Sequence, residues 1–199
     1  MPRSRGVVAT SRRRLSRLAV VEVAEALVDS DGWQQLAMTS LAAKLGVRGP
    51  SLYNHVESIE AVLAEVQVRA MATLSNQLQR AAMGRVRAEC IRAMAAVQRT
   101  YATEHPGLYE LAMSQAIDLE GMAAASGPAG EALVAAIHSF GVQEVTMELG
   151  LSCLSALHGL ITLERTRLMP DANTDLAYDR VVHAVILMLE NEGTARDEA

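Results

Sequence analysis

The residues best suited to chemistry lie in one short stretch, 47–60, which reads VRGPSLYNHVESIE. Ser51, Tyr53, Asn54 and His55 offer a hydroxyl, a phenol, an amide and an imidazole within five positions. Such groups donate hydrogen bonds to phosphate oxygens and base edges. Gly49 has no side chain to block close approach, and Pro50 is tolerated in a first helical turn, where its missing N–H has no partner anyway. The chemistry implied is reversible recognition of a polyanion. Catalysis lacks a constellation: there is no HExxH, no GxSxG and no Gly-rich phosphate loop followed by Lys-Ser/Thr. The five histidines are scattered, and Cys90 and Cys153 stand far apart without a CxxC. The expectation is no enzyme, no metal and no cofactor, in a reducing, cytoplasmic setting.

These groups are positioned by helices. Apolar residues recur at helical spacing in a first helix over 15–30, through Leu15, Leu18, Val21, Ala24, Leu27 and Val28, and Gly32 closes it. A short second helix over 39–45 points Leu41, Ala42 and Leu45 inward and stops at Gly46. A third starts at Gly49–Pro50 and ends near His55. A fourth opens after Ser58, a good N-cap, with an apolar face of Ile59, Val62, Leu63, Val66, Ala70, Leu74 and Leu78. Two short helices joined by a tight Gly-containing turn make a helix-turn-helix, whose second helix can lie in a major groove.

Beyond the head the pattern stays helical: 85–104, ended by His105-Pro106-Gly107, then 108–119, a Gly/Ala/Ser-rich connection over 121–131, and helices over 131–140, 143–168 and 174–191. No strand-like alternation appears. The fold class expected is all-α. The chain is expected to divide into a flexible basic arm (1–14), the helix-turn-helix domain (15–63), a helical domain (64–193) and a frayed tail (194–199).

Composition agrees. Of 199 residues 50% are hydrophobic but only 3% aromatic, with 10 Met, so the core is built from Ala, Leu, Val and Met, which favours helix. The net charge of −5 divides unevenly: residues 1–56 hold eight Lys/Arg against four Asp/Glu, and the remainder ten against nineteen. A basic head on an acidic body suits a protein whose head alone meets nucleic acid. The twin arginines near the start are not expected to make an export leader, because Glu22 and Glu25 interrupt the apolar run. The most apolar stretch, 149–163, is bracketed by Glu148 and Glu164 and is too short for a membrane span.

The segment SLAAKLGVRGPSLYNHVESIEAVL (40–63), with Gly32 and Leu36 upstream, resembles the DNA-binding domain of the tetracycline-repressor (TetR/AcrR) family of bacterial transcription regulators. The resemblance implies a homodimer. Its paired heads would bind operator DNA and release it when a small molecule fills the C-terminal domain. It implies phosphate contacts from Tyr53 and His55, recognition-helix contacts from Arg48, Gly49, Pro50, Ser51 and Asn54, and a second-helix contact from Thr39. Two positions depart from the family pattern. Ala37 stands where a capping Thr or Ser is usual, so Thr39 or Ser40 would cap a shifted start. Ile59, flanked by Glu57 and Glu60, stands where a Lys is usual. The arginines of the arm are expected to offset that loss partly.

HPGLYELAMSQ (105–115) and ALHGLITLE (156–164) resemble a C-terminal subtype of the family with a His-Gly pair in a long helix. Its usual preceding Trp is absent here. A pocket needs apolar walls and a few polar groups. The candidates for walls are Met94, Val97, Leu108, Met113, Ile117, Ile137, Phe140 and Cys153. Those for hydrogen bonds are Tyr101, His105, Tyr109, His138 and His158. The expected effector is small and apolar or amphipathic. Met147, Leu151, Leu154, His158, Ile161 and Arg165 share one face of the helix over 143–168. Tyr178, Val182, Val185, Ile186 and Leu189 share one face of the last. Together they predict a two-fold four-helix interface, unless both helices bury those faces within one subunit. Two other functions stay open: a helical ligand-binding protein whose head has weakened DNA binding, and a DNA-binding protein without an effector.

Overall fold

The computed structural model describes residues 15–168 and 170–194, which form nine α-helices, one 3₁₀ turn and no strand among them. The predicted arm (1–14), and 195–199 of the predicted tail, lie outside the described residues.

The head begins at Ser16, whose Oγ accepts from the Ala19 N–H at 3.2 Å and so caps α1 (Arg17–Asp31). Val20, Val21, Ala24 and Val28 are fully buried on one seam. Leu18, expected to face inward, falls outside that seam and is 56% exposed; Val20 packs in its stead. Gly32, at φ +87°, turns the chain into the 3₁₀ turn (Trp33–Gln35). The second helix, α2 (Met38–Leu45), starts one residue earlier than its sequence predicts. Neither Thr39 nor Ser40 caps a shifted start. Ala37 holds the N-cap position, and the Ser40 hydroxyl reaches back to it, accepting from the Ala37 N–H at 3.2 Å and donating to its carbonyl at 2.8 Å. Gly46 takes the left-handed conformation at φ +67°, as a sharp helix stop requires. The third helix, α3 (Gly49–Leu52), continues as a turn through His55, whose N–H bonds the Leu52 carbonyl. Ser58 Oγ accepts from the Ala61 N–H at 3.1 Å and caps α4 (Ile59–Ala82).

The body adds α5 (Arg87–Glu104), α6 (Pro106–Ala112), α7 (Leu119–His138), α8 (Met147–Thr166) and α9 (Thr174–Thr194). Two readings from sequence need correction. Residues 121–131 are not a connection but part of α7, which packs along α4 more extensively than any other described pair. Small side chains let the two backbones approach: a Cβ on Gly121 would stand 2.9 Å from Val68 Cγ2. Pro128 lacks an N–H and breaks the ladder, while the neighbouring Ala129 N–H is bonded by the buried Ser75 Oγ of α4 at 2.9 Å. Nor is 108–119 one helix: α6 ends at Ala112, and 113–118 is a loop pinned by Gln67. This fully buried side chain has Nε2 within 3.0–3.1 Å of Leu111 O, Ser114 Oγ and Gln115 O, and its Oε1 accepts from the Ile117 N–H at 2.9 Å.

Three apolar clusters result. One joins α1–α4 with Leu111 of α6. A second fills the body between α5, α7, α8 and α9. A third, of Leu74, Tyr101, Ala102, Tyr109 and Ile161, lies between α4, α5, α6 and α8. Head and body also touch through backbone. A Cβ on Gly107 would stand 1.9 Å from the Val28 carbonyl oxygen, so the first turn of α6 sits directly on the end of α1.

Candidate nucleic-acid interface and ligand region

The head presents α3 on a rigid support. Leu41 and Leu52 are fully buried and Val56 nearly so, which ties α2 and α3 to the head cluster and fixes what faces outward. Outward lie Thr39, Arg48, Pro50, Tyr53 and Asn54, with Tyr53 60% exposed; Gly49, Ser51 and His55 are half-buried beside them. Of the eight residues expected to meet DNA, Thr39 lies in the first turn of α2 and the other seven run from the N-cap of α3 through the turn that follows it. Space above Gly49 is open: a Cβ there would meet nothing within 4 Å. Lys44, in the last turn of α2, is also exposed, and was not singled out from the sequence. Its signal was local: a cation directly before the helix-ending Leu45-Gly46.

The departures from the family pattern have a structural counterpart. Ile59 packs half-buried against the head cluster, so it presents no polar group. Glu57 and Glu60 are exposed. The Glu60 carboxyl is held below the usual carboxylate range by hydrogen bonds from its own backbone N–H and from Ser58. The Arg17 guanidinium is engaged by Glu65 at 2.7 Å.

In the body the structure divides the expected ligand residues. Met94, Ile137, Phe140 and Cys153 are buried in the cluster between α5, α7, α8 and α9; Val97 is half-buried and Ile117, in the loop after α6, is 45% exposed. Tyr101, Tyr109 and Met113 meet in the third cluster, against which His158 is placed. There Gln98 Nε2 donates to the Tyr109 phenol at 3.1 Å. The phenol lies 2.9 Å from His158 Nδ1, and His158 Nε2 is 3.5 Å from Thr162 Oγ1. With Gln98 donating, the phenol can give its own proton to an unprotonated His158 Nδ1. Burial lowers the His158 pKa, and the Arg165 charge lowers it further. Burial pushes the Tyr109 phenol up, partly offset by Gln98. Gln98 was missed because a glutamine in a polar-looking helix sequence carries no signal until its partner is in place. His138 turns to its own loop, at 2.8 Å from the Val142 carbonyl.

Tyr101, His105 and Leu108 line a separate cleft of about 380 Å³ at the junction of head and body, with Glu25, Arg69, Ala70, Ala72, Thr73 and Asn76. Polar links cross the same junction. His105 Nδ1 lies 2.8 Å from Asp29 Oδ2, and Gln34 Nε2 donates to Glu110 Oε1 at 2.9 Å. Glu110 Oε2 stands 3.5 Å from Arg165, whose guanidinium lies over the Tyr109 ring.

The expected dimer face is corrected in part. Ile161, Val182, Val185 and Leu189 are 5% exposed or less. They pack inside this subunit, because α5 and α7 need the inward faces of α8 and α9 to close the body core. Tyr178 is half-buried under the Arg99 guanidinium, at 4.6 Å, and Arg99 pairs with Glu164 and Asp175. Arg165 is turned to Glu110. Met147, Leu151 and Leu154 remain outward at 82%, 58% and 43% exposure, joined by Leu163, Leu176 and Leu187.

Residues 91–185 match the family described as "Tetracyclin repressor-like, C-terminal domain". The chain is 36% identical over 185 residues to an uncharacterized HTH-type transcriptional regulator of Mycobacterium tuberculosis, Rv0681, covering 91% of this chain and 84% of that one. Among solved structures it resembles apo ActR from Streptomyces coelicolor, with a TM-score of 0.66 at 15% identity over 92% of this chain and 98% of that one. It also resembles AibR, solved with isovaleryl coenzyme A and operator DNA, with a TM-score of 0.56 at 17% identity over 86% and 96%.

Proposed function

This chain belongs to the tetracycline-repressor (TetR) family of helix-turn-helix transcription regulators, and on that footing we propose that it is a homodimeric repressor that leaves its operator when a small effector binds. The observation that carries this reading is the head surface: Thr39, Arg48, Pro50, Tyr53 and Asn54 face outward from a packed three-helix support. Arg48 and Asn54 read base edges or phosphates near the start and end of α3. Tyr53 and His55 clamp the backbone, Ser51 adds a donor, and Gly49 and Pro50 give clearance. The arginines of residues 1–14 add phosphate contacts that Ile59 does not supply.

Residues 15–63 act as the DNA-binding unit and 64–193 as the effector and dimerisation unit, with the unbroken α4 running through both. The effector, small and apolar or amphipathic, enters the body beside Tyr109 and His158, where Gln98 and His158 provide the polar contacts within aliphatic surroundings. That AibR, of the same fold, is described in complex with an acyl coenzyme A and operator DNA supports an effector reading. Two copies pair through the outward faces of α8 and α9, with Met147, Leu151 and Leu154 at the centre of an isologous contact. The protein works in the cytoplasm and does no catalysis. No described helix is long and apolar enough to cross a membrane.

An electrophoretic shift against the DNA upstream of the protein's own gene tests this, with and without candidate effectors. Retardation that an effector reverses is expected. Retardation that none reverses favours a DNA-binding protein without an effector, and no retardation favours a ligand-binding protein whose head has lost DNA.

A further inference from the structure

We propose that Glu110 is a positioning residue: through one carboxylate it fixes the head against α8, and so sets the half-site spacing that the paired heads accept. The inference rests on the homodimeric, DNA-binding function proposed above. Glu110 lies in the last turn of α6. Its Oε1 accepts from Gln34 Nε2 of the head at 2.9 Å, and its Oε2 stands 3.5 Å from the Arg165 guanidinium of α8. One carboxylate oxygen therefore serves the head and the other the body. The Gln34 amide rests on the bend that leads into the 3₁₀ turn, where a Cβ on Gly32 would stand 3.4 Å from Gln34 Oε1.

On the body side the anchor is held twice. Arg165 lies over the Tyr109 ring at 5.8 Å as well as beside Glu110, so two consecutive residues of α6 hold one guanidinium. Tyr109 is fully buried, and its phenol is engaged by Gln98 and His158. The ring is therefore a fixed platform, and it limits where the guanidinium can stand.

The placement of α6 shows why such a link matters. Its first turn sits on the end of α1 at Gly107, and one close backbone contact alone is a pivot. Polar links at the two ends of α6 remove that freedom, His105 to Asp29 at its start and Glu110 to Gln34 at its end. The first continues to α5, where the His105 ring meets that of Tyr101 at 5.2 Å. The second continues to α8. Among the described residues α8 packs chiefly on α9 and α5, so Glu110 gives it a tie to the head that its packing does not. Leu151 and Leu154 of α8 lie on the proposed dimer contact, so a head fixed to α8 is fixed relative to the partner head. One base pair added between half-sites moves the target by about 3.4 Å and turns it by about 34°. A fixed head discriminates against that change, and a loosened head tolerates it.

The test uses the full-length protein and two readouts, with circular dichroism and sedimentation confirming that the variants fold and dimerise. Without DNA, acrylamide quenching of Trp33 reports the seam, because Trp33 is the chain's one tryptophan and the neighbour of Gln34. Glu110→Ala, Gln34→Ala and Arg165→Met should each raise the quenching constant. Arg165→Met should add nothing further in the Glu110→Ala protein. With DNA, duplexes carry the half-sites located by footprinting, at the native spacing and with one base pair added or removed. An exposed pair of this kind is worth up to about fivefold in an equilibrium, so Glu110→Ala should weaken binding at the native spacing by up to about fivefold per head. It should also cut the preference for the native spacing by about threefold. A loss equal at every spacing marks a merely structural role and overturns the proposal, as does Trp33 quenching that ignores Arg165→Met. If the unsubstituted protein binds no DNA, the function proposed above fails and the spacing consequence with it, while Trp33 still decides whether Glu110 links α8 to the head.

Discussion

Replacing Gly107 by Ala drives one methyl group into the seam between head and body. The added Cβ would stand 1.9 Å from the Val28 carbonyl oxygen, 2.8 Å from its carbon and 2.9 Å from Asp29 Cα. All three are backbone atoms of α1, so no side-chain rotamer relieves the contact. Ordinary van der Waals contact begins near 3.4 Å, so α6 and the end of α1 must part by about 1.5 Å. Forcing a methyl into packed backbone costs about 1–3 kcal/mol. For a chain of this size that is a fall in melting temperature of roughly 2–4 °C per kcal/mol. The same displacement stretches the Asp29–His105 contact at 2.8 Å and the Gln34–Glu110 bond at 2.9 Å, the polar links across that seam. Operator affinity should therefore change along with stability. Gly130→Ala is the control. A Cβ there meets nothing within 4 Å in the middle of α7, and the swap should stabilise by about 0.5–1 kcal/mol through helix propensity. Differential scanning calorimetry and operator titrations on both variants read these effects. A Gly107→Ala protein with unchanged melting temperature and operator affinity would refute the claim that head and body meet there through backbone.

Leu151→Glu places a charge on the outward face of α8, where Leu151 is 58% exposed in the single subunit. Sedimentation should show a monomer with helical content intact, and a stable dimer would place the interface elsewhere. A histidine whose folded pKa lies below its ordinary value, near 6.5, binds fewer protons folded than unfolded. The depressed His158 pKa therefore makes the body lose stability as pH falls from about 7 through the histidine range. His158→Gln should flatten that part of a denaturation profile, and an unchanged slope would assign the effect to other groups. Arg48→Ala should weaken operator binding. A uniform loss with a salt slope reduced by about one marks a phosphate contact, and a sequence-selective loss of about 1–3 kcal/mol marks a base contact. Removing residues 2–14 should weaken binding and flatten its salt dependence, and unchanged values would deny the arm a role.

What could be read from sequence follows how local the deciding interactions are. The head was legible because its punctuation is local: Gly46 in the left-handed region, Pro50 in a first turn and Ser58 bonding three residues ahead. The small-residue run 121–131 was misread because its helicity depends on a partner more than forty residues away. Ser75 bonds the backbone beside Pro128, and α4 accepts the close approach. The stripe Val182, Val185 and Leu189 was legible as buried, but periodicity does not say against what, and α5 and α7 of the same subunit claimed it. The links Asp29–His105 and Gln34–Glu110 join residues 76 apart in sequence and leave no pattern. One sign was available for Gln67: a glutamine within the apolar stripe of α4 marks a buried hydrogen-bonding duty, and here it pins the loop after α6.

A footprint of the full-length protein on the DNA upstream of its own gene tests the paired reading heads most directly. The predicted result is two protected half-sites related by a dyad, lost in Tyr53→Ala and Asn54→Ala proteins that still fold and dimerise. Protection without a dyad, or protection that survives both substitutions, would contradict the assignment of α3 as the reading helix of a paired head.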